Sequence, residues 1–364
     1  MKVKRFSMLF GMGLFLLFLS CGDEERADTP EEPAEEVGVV TYEIQDISRD
    51  KVITIEIWYP AVAEPGASGE MYLGGVQGIA VREAVPDPKY APYPLIVFSH
   101  GLGSFRSQSI FLTESLAKQR YVVAAPDHSD AGALMGGDFS EIDADMLTDR
   151  PQDISFLIDE LLARSAGDDP ILKGLVDESR IGVTGHSMGG YTSIAVAGAE
   201  FNLEYLKEQC KTETLVACNF IDEVPPGLGE FNLRDQRVIA SLPMAPASST
   251  FGPEGISEID IPMMVMGGTI DTLCPFATEQ EPLYQALNSP KYLLEIFEAG
   301  HMVFSDSTCL LLPNLPECQI ADELQSIMVS HATAFFGFHV KGIEGLSSEL
   351  QEKTTDDYEL SAER

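Results

Sequence analysis

The chain has 364 residues, with 23 Lys and Arg against 58 Asp and Glu, and a formal net charge of −35. That length buries a full core, as one large α/β domain or two small ones. The acidic balance argues against a nucleic-acid partner, which needs a basic face, and against electrostatic docking on anionic lipid.

The first 20 residues read as a signal peptide of the lipoprotein type. Lys2, Lys4 and Arg5 form a positive n-region, and Phe6 to Leu19 is apolar but short for a membrane span. Phe18-Leu19-Ser20-Cys21 resembles a bacterial lipobox, with Cys21 as the lipidated first residue of the mature chain. Ordinary signal cleavage or an uncleaved anchor are the alternatives. Gly22 and Asp23 after Cys21 resemble the start of an outward-sorted cargo. The expectation is an outer-membrane lipoprotein of a bacterial cell envelope, facing the periplasm or the surface, attached by a lipid on Cys21. Residues 21–37 are acidic, carry Pro30 and Pro33, and are expected to form a disordered tether.

The folded domain is predicted over 38–345. Val39–Asp46 and Val52–Tyr59 alternate apolar and polar residues around the turn-forming Ser48-Arg49-Asp50, which predicts an antiparallel hairpin. Pro60 to Pro92, rich in Pro, Gly and Ala, reads as a surface excursion. Pro94 to Ser99 is a continuous apolar run, as in a buried parallel strand. A helix is predicted over Ser107–Gln119, a strand over Tyr121–Ala125, an amphipathic helix over Asp153–Arg164 and a strand over Ile181–Gly185. Further strands are expected at Val238–Leu242, Pro262–Gly267 and Lys291–Phe297, with helices near Glu279–Leu287 and Asp322–His339. The segment 200–236 is a long insertion, either a cap over the site or a surface excursion. Residues 346–364 form a polar tail, expected to be frayed. Strands alternating with helices predict an α/β fold with a mainly parallel sheet of about eight strands, helices on both faces and an antiparallel N-terminal edge.

Five cysteines follow Cys21. Cys210–Cys218 and Cys309–Cys318 are the local pairs, leaving Cys274 free; the rival arrangement joins Cys274 to Cys309 or Cys318. No pair has C-x-x-C spacing, so no structural metal is expected.

The chemistry-bearing stretch is Gly185-His186-Ser187-Met188-Gly189, a G-x-S-x-G between a predicted strand and small, helix-compatible residues. That is the context of a nucleophile elbow. A serine needs a base and a third group to orient the base. Gly267-Gly268-Thr269-Ile270-Asp271 places Asp271 just after a late strand, and Glu298-Ala299-Gly300-His301 places His301 after the last one. Both stand at carboxyl ends of parallel strands, where open α/β sheets carry their sites. The oxyanion donors expected are the backbone N–H groups of Met188 and of Leu102, the latter in His100-Gly101-Leu102-Gly103. His100, His128 and His186 have blander readings: a backbone contact, a pocket wall or turn cap, and the variable elbow position.

Tyr93 to Arg106 (YPLIVFSHGLGSFR) and Gly185 to Gly190 (GHSMGG) are similar to the oxyanion segment and elbow of the secreted platelet-activating factor acetylhydrolases. The resemblance runs in element order from about Val39 to Lys341. It implies the α/β-hydrolase fold and hydrolysis of short acyl esters without a cofactor. Those acetylhydrolases carry their acid after the strand equivalent to Val238–Leu242, where this chain has Pro243-Met244-Ala245-Pro246. With Asp271 as acid, Gly268 to Pro275 looks more like cutinase-like polyester hydrolases and dienelactone-hydrolase-related proteins. The reading is a serine carboxylic-ester hydrolase, monomeric, acting on a small-molecule or lipid ester. A polyester or lipid ester hydrolase is the alternative, with an acyltransferase, a peptidase and a non-catalytic envelope binding lipoprotein behind it.

Overall fold

The computed structural model describes residues 30–63, 66–137, 144–212, 215, 217, 218, 221, 224 and 232–363. The signal peptide and Cys21 lie outside the described residues. Eleven strands among those described form one sheet: β1 (Glu36–Asp46), β2 (Lys51–Ala61), β3 (Val81–Arg82), β4 (Tyr93–Ser99), β5 (Val122–Pro126), β6 (Val176–His186), β7 (Val238–Met244), β8 (Met263–Gly268), β9 (Lys291–Ile296), β10 (Lys353–Thr354) and β11 (Tyr358–Glu363). Their order is β10-β11-β9-β8-β7-β6-β4-β5-β2-β1-β3. The six central strands, β9 to β5 in that order, run parallel. The hairpin β1–β2 pairs antiparallel with β5, as its alternation predicts.

The sheet exceeds the expected eight strands for two reasons. β3 is a two-residue pairing inside the excursion between β2 and β4. The other reason lies in the tail. β11 pairs antiparallel with β9 along its whole length, from Tyr358 opposite Ile296 to Glu363 opposite Lys291, and β10 folds back on β11. The expectation of a frayed tail is therefore corrected. Tyr358, Leu360 and Ala362 alternate with Glu359, Ser361 and Glu363, and Leu360 is buried in the core. This period of two covers the edge of β9 that would otherwise stand open.

The tether is shorter than expected. Ala34 N–H donates to Lys118 O at 2.8 Å and Arg120 Nε to Glu32 O at 2.6 Å, so residues 32–34 already lie along the end of the helix Ile110–Lys118. Backbone carbonyls, which any sequence carries, make these contacts, and acidic composition does not reveal them.

The continuous apolar runs divide by parity between the two faces of the sheet. Ile96 and Phe98 share a core with Met264, Met266, Tyr292 and Leu294, under the helices Ile110–Lys118 and Ala321–His339. Leu95 and Val97 face the other way, against Ile154, Leu157 and Ile158 of the helix Met146–Ala166. That helix begins seven residues before its predicted start at Asp153, with Pro151 in its second turn. The disulfides are Cys210–Cys218 and Cys309–Cys318, and Cys274 is a buried free thiol.

The order β6-β4-β5 is what positions the site. The chain leaves β4 toward β5 on one side, then crosses back to β6 on the other. The loops after β4 and β6 therefore leave the same sheet edge in opposite directions and open a crevice between them. Leu102 lies in the first loop and Ser187 in the second.

Candidate active site

Ser187 stands between β6 and the helix Met188–Ala197, with φ 57° and ψ −115°. A side chain rarely adopts this left-handed φ, and the surroundings impose it. Ser187 N–H donates to Met244 O at 2.9 Å on one side, and Tyr191 N–H donates to Ser187 O at 3.0 Å on the other. Close approach explains the glycine spacing. A Cβ on Gly189 would lie 1.9 Å from Ser99 O, and one on Gly185 would lie 2.3 Å from Gly189 O. Only glycine lets the new helix pass directly over the ends of β4 and β6.

Asp271 and His301 are brought together by the turns after β8 and β9. Thr269 N–H donates to Ile296 O and Ile270 N–H to Ala299 O, both at 3.1 Å, so the two loops are laced. His301 Nδ1 then lies 2.7 Å from Asp271 Oδ2. The other carboxylate oxygen, Oδ1, accepts the N–H groups of Leu273 and Cys274, each at 2.8 Å. Asp271 is 5% and His301 8% exposed, against a half-buried Ser187. The His301 ring packs on His186 with centroids 4.6 Å apart, and His186 stacks on Phe304.

The loop after β4 is tied at every side of Leu102. Gly101 N–H donates to Gln108 Oε1 at 2.7 Å and Gly103 N–H to Asp130 Oδ2 at 2.6 Å. Among the described residues no acceptor lies on Leu102 N–H. Met188 is the first residue of its helix, so its N–H has no acceptor within that helix. Gln108 also reaches His186 Nδ1 at 2.8 Å, which links the loop after β4 to the elbow.

Beneath the loop lies a second Ser–His–Asp file. Ser99 Oγ is 2.9 Å from His128 Nε2, and His128 Nδ1 is 2.9 Å from Asp153 Oδ2. Exposures of 0%, 2% and 0% close all three to substrate, so this file is a strut. Lys51 and Arg49, from the β1–β2 turn, neutralise Asp153 from the far side at 2.8 Å. Burial, with the Arg150 charge nearby, holds His100 and His128 below the usual histidine range, so both are neutral. Burial resists ionisation of Asp130 too, but the Arg150 guanidinium overcomes it and holds that carboxyl well below its ordinary range.

An apolar cleft opens beside Ser187, with an empty volume of about 490 Å³ in part open to solvent. Met146, Leu147 and Met188 line it. The insertion adds Leu206, Ala217 and Val224 to the lining, so 200–236 does border the cleft. Asn202 N–H on Thr250 O, at 2.9 Å, joins the insertion to the loop after β7.

That loop is held by a buried acid that its sequence does not announce. Glu279 accepts Ser248 N–H at 2.7 Å, Ser249 N–H at 2.8 Å and Ser249 Oγ–H at 3.0 Å. Burial pushes its carboxyl up to about 7, against the pull of the serine donors. The folded protein thus keeps the proton while the unfolded chain releases it near 4.5. Stability is lost as pH rises from about 4.5 to about 7 and is level above that. Glu279→Gln is expected to remove most of this slope. Urea unfolding at acid and at mildly alkaline pH should show the wild type losing up to about 3 kcal/mol more than the variant.

Three comparisons bear on this geometry. Residues 68–157 match the family described as "Platelet-activating factor acetylhydrolase, isoform II". A platelet-activating factor acetylhydrolase of Gallus gallus is 27% identical over 227 residues, 50% of each chain. A bis(hydroxyethyl) terephthalate hydrolase of Streptomyces coelicolor is 24% identical over 215 residues, 58% of this chain and 51% of that one. The chain thus spans about half the length of these relatives. A solved ferulic acid esterase from Streptomyces cinnamoneus superimposes with TM-score 0.63 and 23% identity, covering 90% of this chain and 96% of that one. This is the α/β-hydrolase fold. In it Ser187, Asp271 and His301 follow β6, β8 and β9, at the carboxyl edge of the sheet, in the order the sequence predicts.

Arg150, Asp130, Gln108 and Glu279 escaped the sequence reading. Each acts across 7 or more positions of separation, and none sits in a local motif.

Proposed function

We propose that this protein is a serine carboxylic-ester hydrolase working through an acyl-enzyme. The observation that carries this is the 2.7 Å contact of Asp271 with His301 Nδ1, set beside a serine at a strained elbow. Asp271 Oδ2 accepts Nδ1–H, which leaves His301 Nε2 free to take the Ser187 proton. Ser187 Oγ attacks the acyl carbon. The carbonyl oxygen becomes anionic and is received by Leu102 and Met188 N–H. His301 returns the proton to the leaving alcohol, and water releases the acid by the same steps. The acyl group lies in the cleft between Met146, Leu147 and Leu206. The platelet-activating factor acetylhydrolase and bis(hydroxyethyl) terephthalate hydrolase relatives support the reaction class.

Within that class the reading is a short-acyl ester of small-molecule type. A second reading, a lipid or polyester substrate presented at a surface, is favoured by one feature. Leu134, Ile270, Leu273 and Leu310 to Leu312 are exposed large apolar residues, on or capping the short helices Ala133–Gly136 and Asp306–Leu311 and in the loop after β8 that carries Asp271. The protein is proposed to act as a monomer at a bacterial envelope, tethered through a lipid on Cys21 by the residues before Glu32.

The test is turnover of p-nitrophenyl esters from acetate to laurate, with fluorophosphonate labelling. The expected result is a maximum at acetate or butyrate and a label on Ser187. A maximum on emulsified long-chain esters or polyester film would select the second reading. Folded protein with neither turnover nor label would make it a non-catalytic binding lipoprotein.

A further inference from the structure

Leu102 N–H shares its peptide plane with the carbonyl of Gly101, and in a trans peptide the two point in opposite directions. Whatever holds Gly101 O therefore aims Leu102 N–H. Two buried side chains hold it. His100 Nδ1 lies 2.7 Å away, and Arg150 Nη2 lies 3.2 Å away. The tautomer of His100 follows from the backbone. His128 N–H donates to His100 Nε2 at 3.1 Å, so Nε2 accepts and Nδ1 carries the proton that Gly101 O receives.

Arg150 does more than cap one carbonyl. Its Nη1 donates to His100 O at 2.7 Å, so one guanidinium grips two consecutive carbonyls. Its Nε and Nη2 also donate to the two oxygens of Asp130, at 3.1 and 2.6 Å. Asp130 Oδ2 in turn takes Gly103 N–H. The peptide on each side of Leu102 is thereby fixed to one ion pair. Arg150 is fully buried and Asp130 is 6% exposed.

We propose that Arg150, Asp130 and His100 are positioning residues for ester hydrolysis, orienting the Gly101–Leu102 peptide so that its N–H meets the oxyanion. This rests on the ester-hydrolase reading above. The physical argument concerns what a buried ion pair is good for. Two apolar side chains of similar volume commonly stabilise a core as well as a buried pair does. They cannot grip carbonyls. An oxyanion donor, by contrast, depends on placement within a few tenths of an ångström of its acceptor. Arg150 also stands on the helix whose first turn gives Met146 and Leu147 to the cleft, so one helix shapes the acyl pocket and aims the donor.

The test uses two variants. Arg150→Lys keeps the charge beside Asp130 but loses the planar fork that spans two carbonyls. Asp130→Leu/Arg150→Met removes both charges and keeps the core apolar. Each is compared with wild type on p-nitrophenyl acetate and on its thionoacetate analogue, beside a thermal melt. The thionoester places sulfur where the oxyanion forms and gains little from N–H donors. Preference for the oxygen ester therefore reports the hole itself. In the folded double variant kcat on the acetate is expected to fall about 100-fold, with KM within about threefold and preference for the oxygen ester down at least about tenfold. Arg150→Lys is expected to show a smaller loss in the same direction. A folded variant whose kcat and preference stay near wild type overturns the proposal. So does a fall in kcat with the preference intact, the mark of a merely structural role. A wild-type chain without turnover overturns the ester-hydrolase reading, and this inference with it, which tells the two failures apart.

Discussion

Ser187→Ala is expected to lower kcat on p-nitrophenyl acetate by about 10⁶-fold and to end fluorophosphonate labelling, with the fold intact. In the proposed mechanism the Oγ is the atom that bonds the acyl carbon, and the buried Cys274 thiol in contact with Ser187 does not replace it, because burial pushes that thiol well above its ordinary range and keeps it protonated. Residual turnover above water would come from the N–H groups of Leu102 and Met188, which the substitution leaves in place. Ser187→Gly carries the argument into stability. The backbone at Ser187 has φ 57°, a conformation glycine adopts without the Cβ penalty. This variant should be equally inactive and yet more stable by about 1 kcal/mol, the cost of holding a non-glycine residue in that region. Activity assays with urea unfolding on the same preparations check both halves. An inactive, stabilised glycine variant identifies the elbow strain as a cost of presenting the nucleophile. A glycine variant less stable than Ser187→Ala by the full extra chain entropy of glycine, about 1 kcal/mol, would show that the elbow stores no such strain.

Asp271→Asn is expected to cost about 10⁴-fold in kcat, with little change in KM. The hydrogen bonds dictate why. Oδ1 of Asp271 receives two backbone N–H groups, so an asparagine must place its oxygen there and its amide nitrogen at the Oδ2 position. That nitrogen would donate toward His301 Nδ1, which now sits 2.7 Å from Oδ2. Nδ1 must then accept, Nε2 must carry the proton, and His301 loses its capacity as a base toward Ser187. Kinetics of Asp271→Asn, with a crystal structure to confirm unchanged placement, check this. Near wild-type turnover would move the acid elsewhere. The loop after β7 could not supply it, because Ala245 to Phe251 carries no carboxylate.

What the amino-acid order reveals and what it hides divides along sequence distance. Ser187, Asp271 and His301 were legible because each sits in a local pattern: an apolar strand, a glycine turn, then the functional side chain. The hairpin β1–β2 was legible through its alternation. β11 carries the same alternation in Tyr358 to Glu363, but polar and acidic surroundings masked it, and pairing with β9 is what stabilises it. Likewise the helix Met146–Ala166 starts seven residues before Asp153: Pro151 has no N–H for Leu147 O, and Tyr191 Oη–H, from a distant helix, donates there at 2.9 Å instead.

The sequence by itself determined the fold class, the chain order of serine, acid and base, and the glycines at 185 and 189. These follow from periodicity and from backbone approaches within a few residues. Only the tertiary structure decided which cysteines pair, that the tail closes the sheet, that the insertion borders the cleft and that Arg150, Asp130 and Gln108 tie down the loop after β4. Those depend on groups brought together from distant strands and helices. A buried arginine reads in sequence like any charged residue on an amphipathic helix. What distinguishes Arg150 is the pair of carbonyls it meets, and sequence spacing does not encode that meeting.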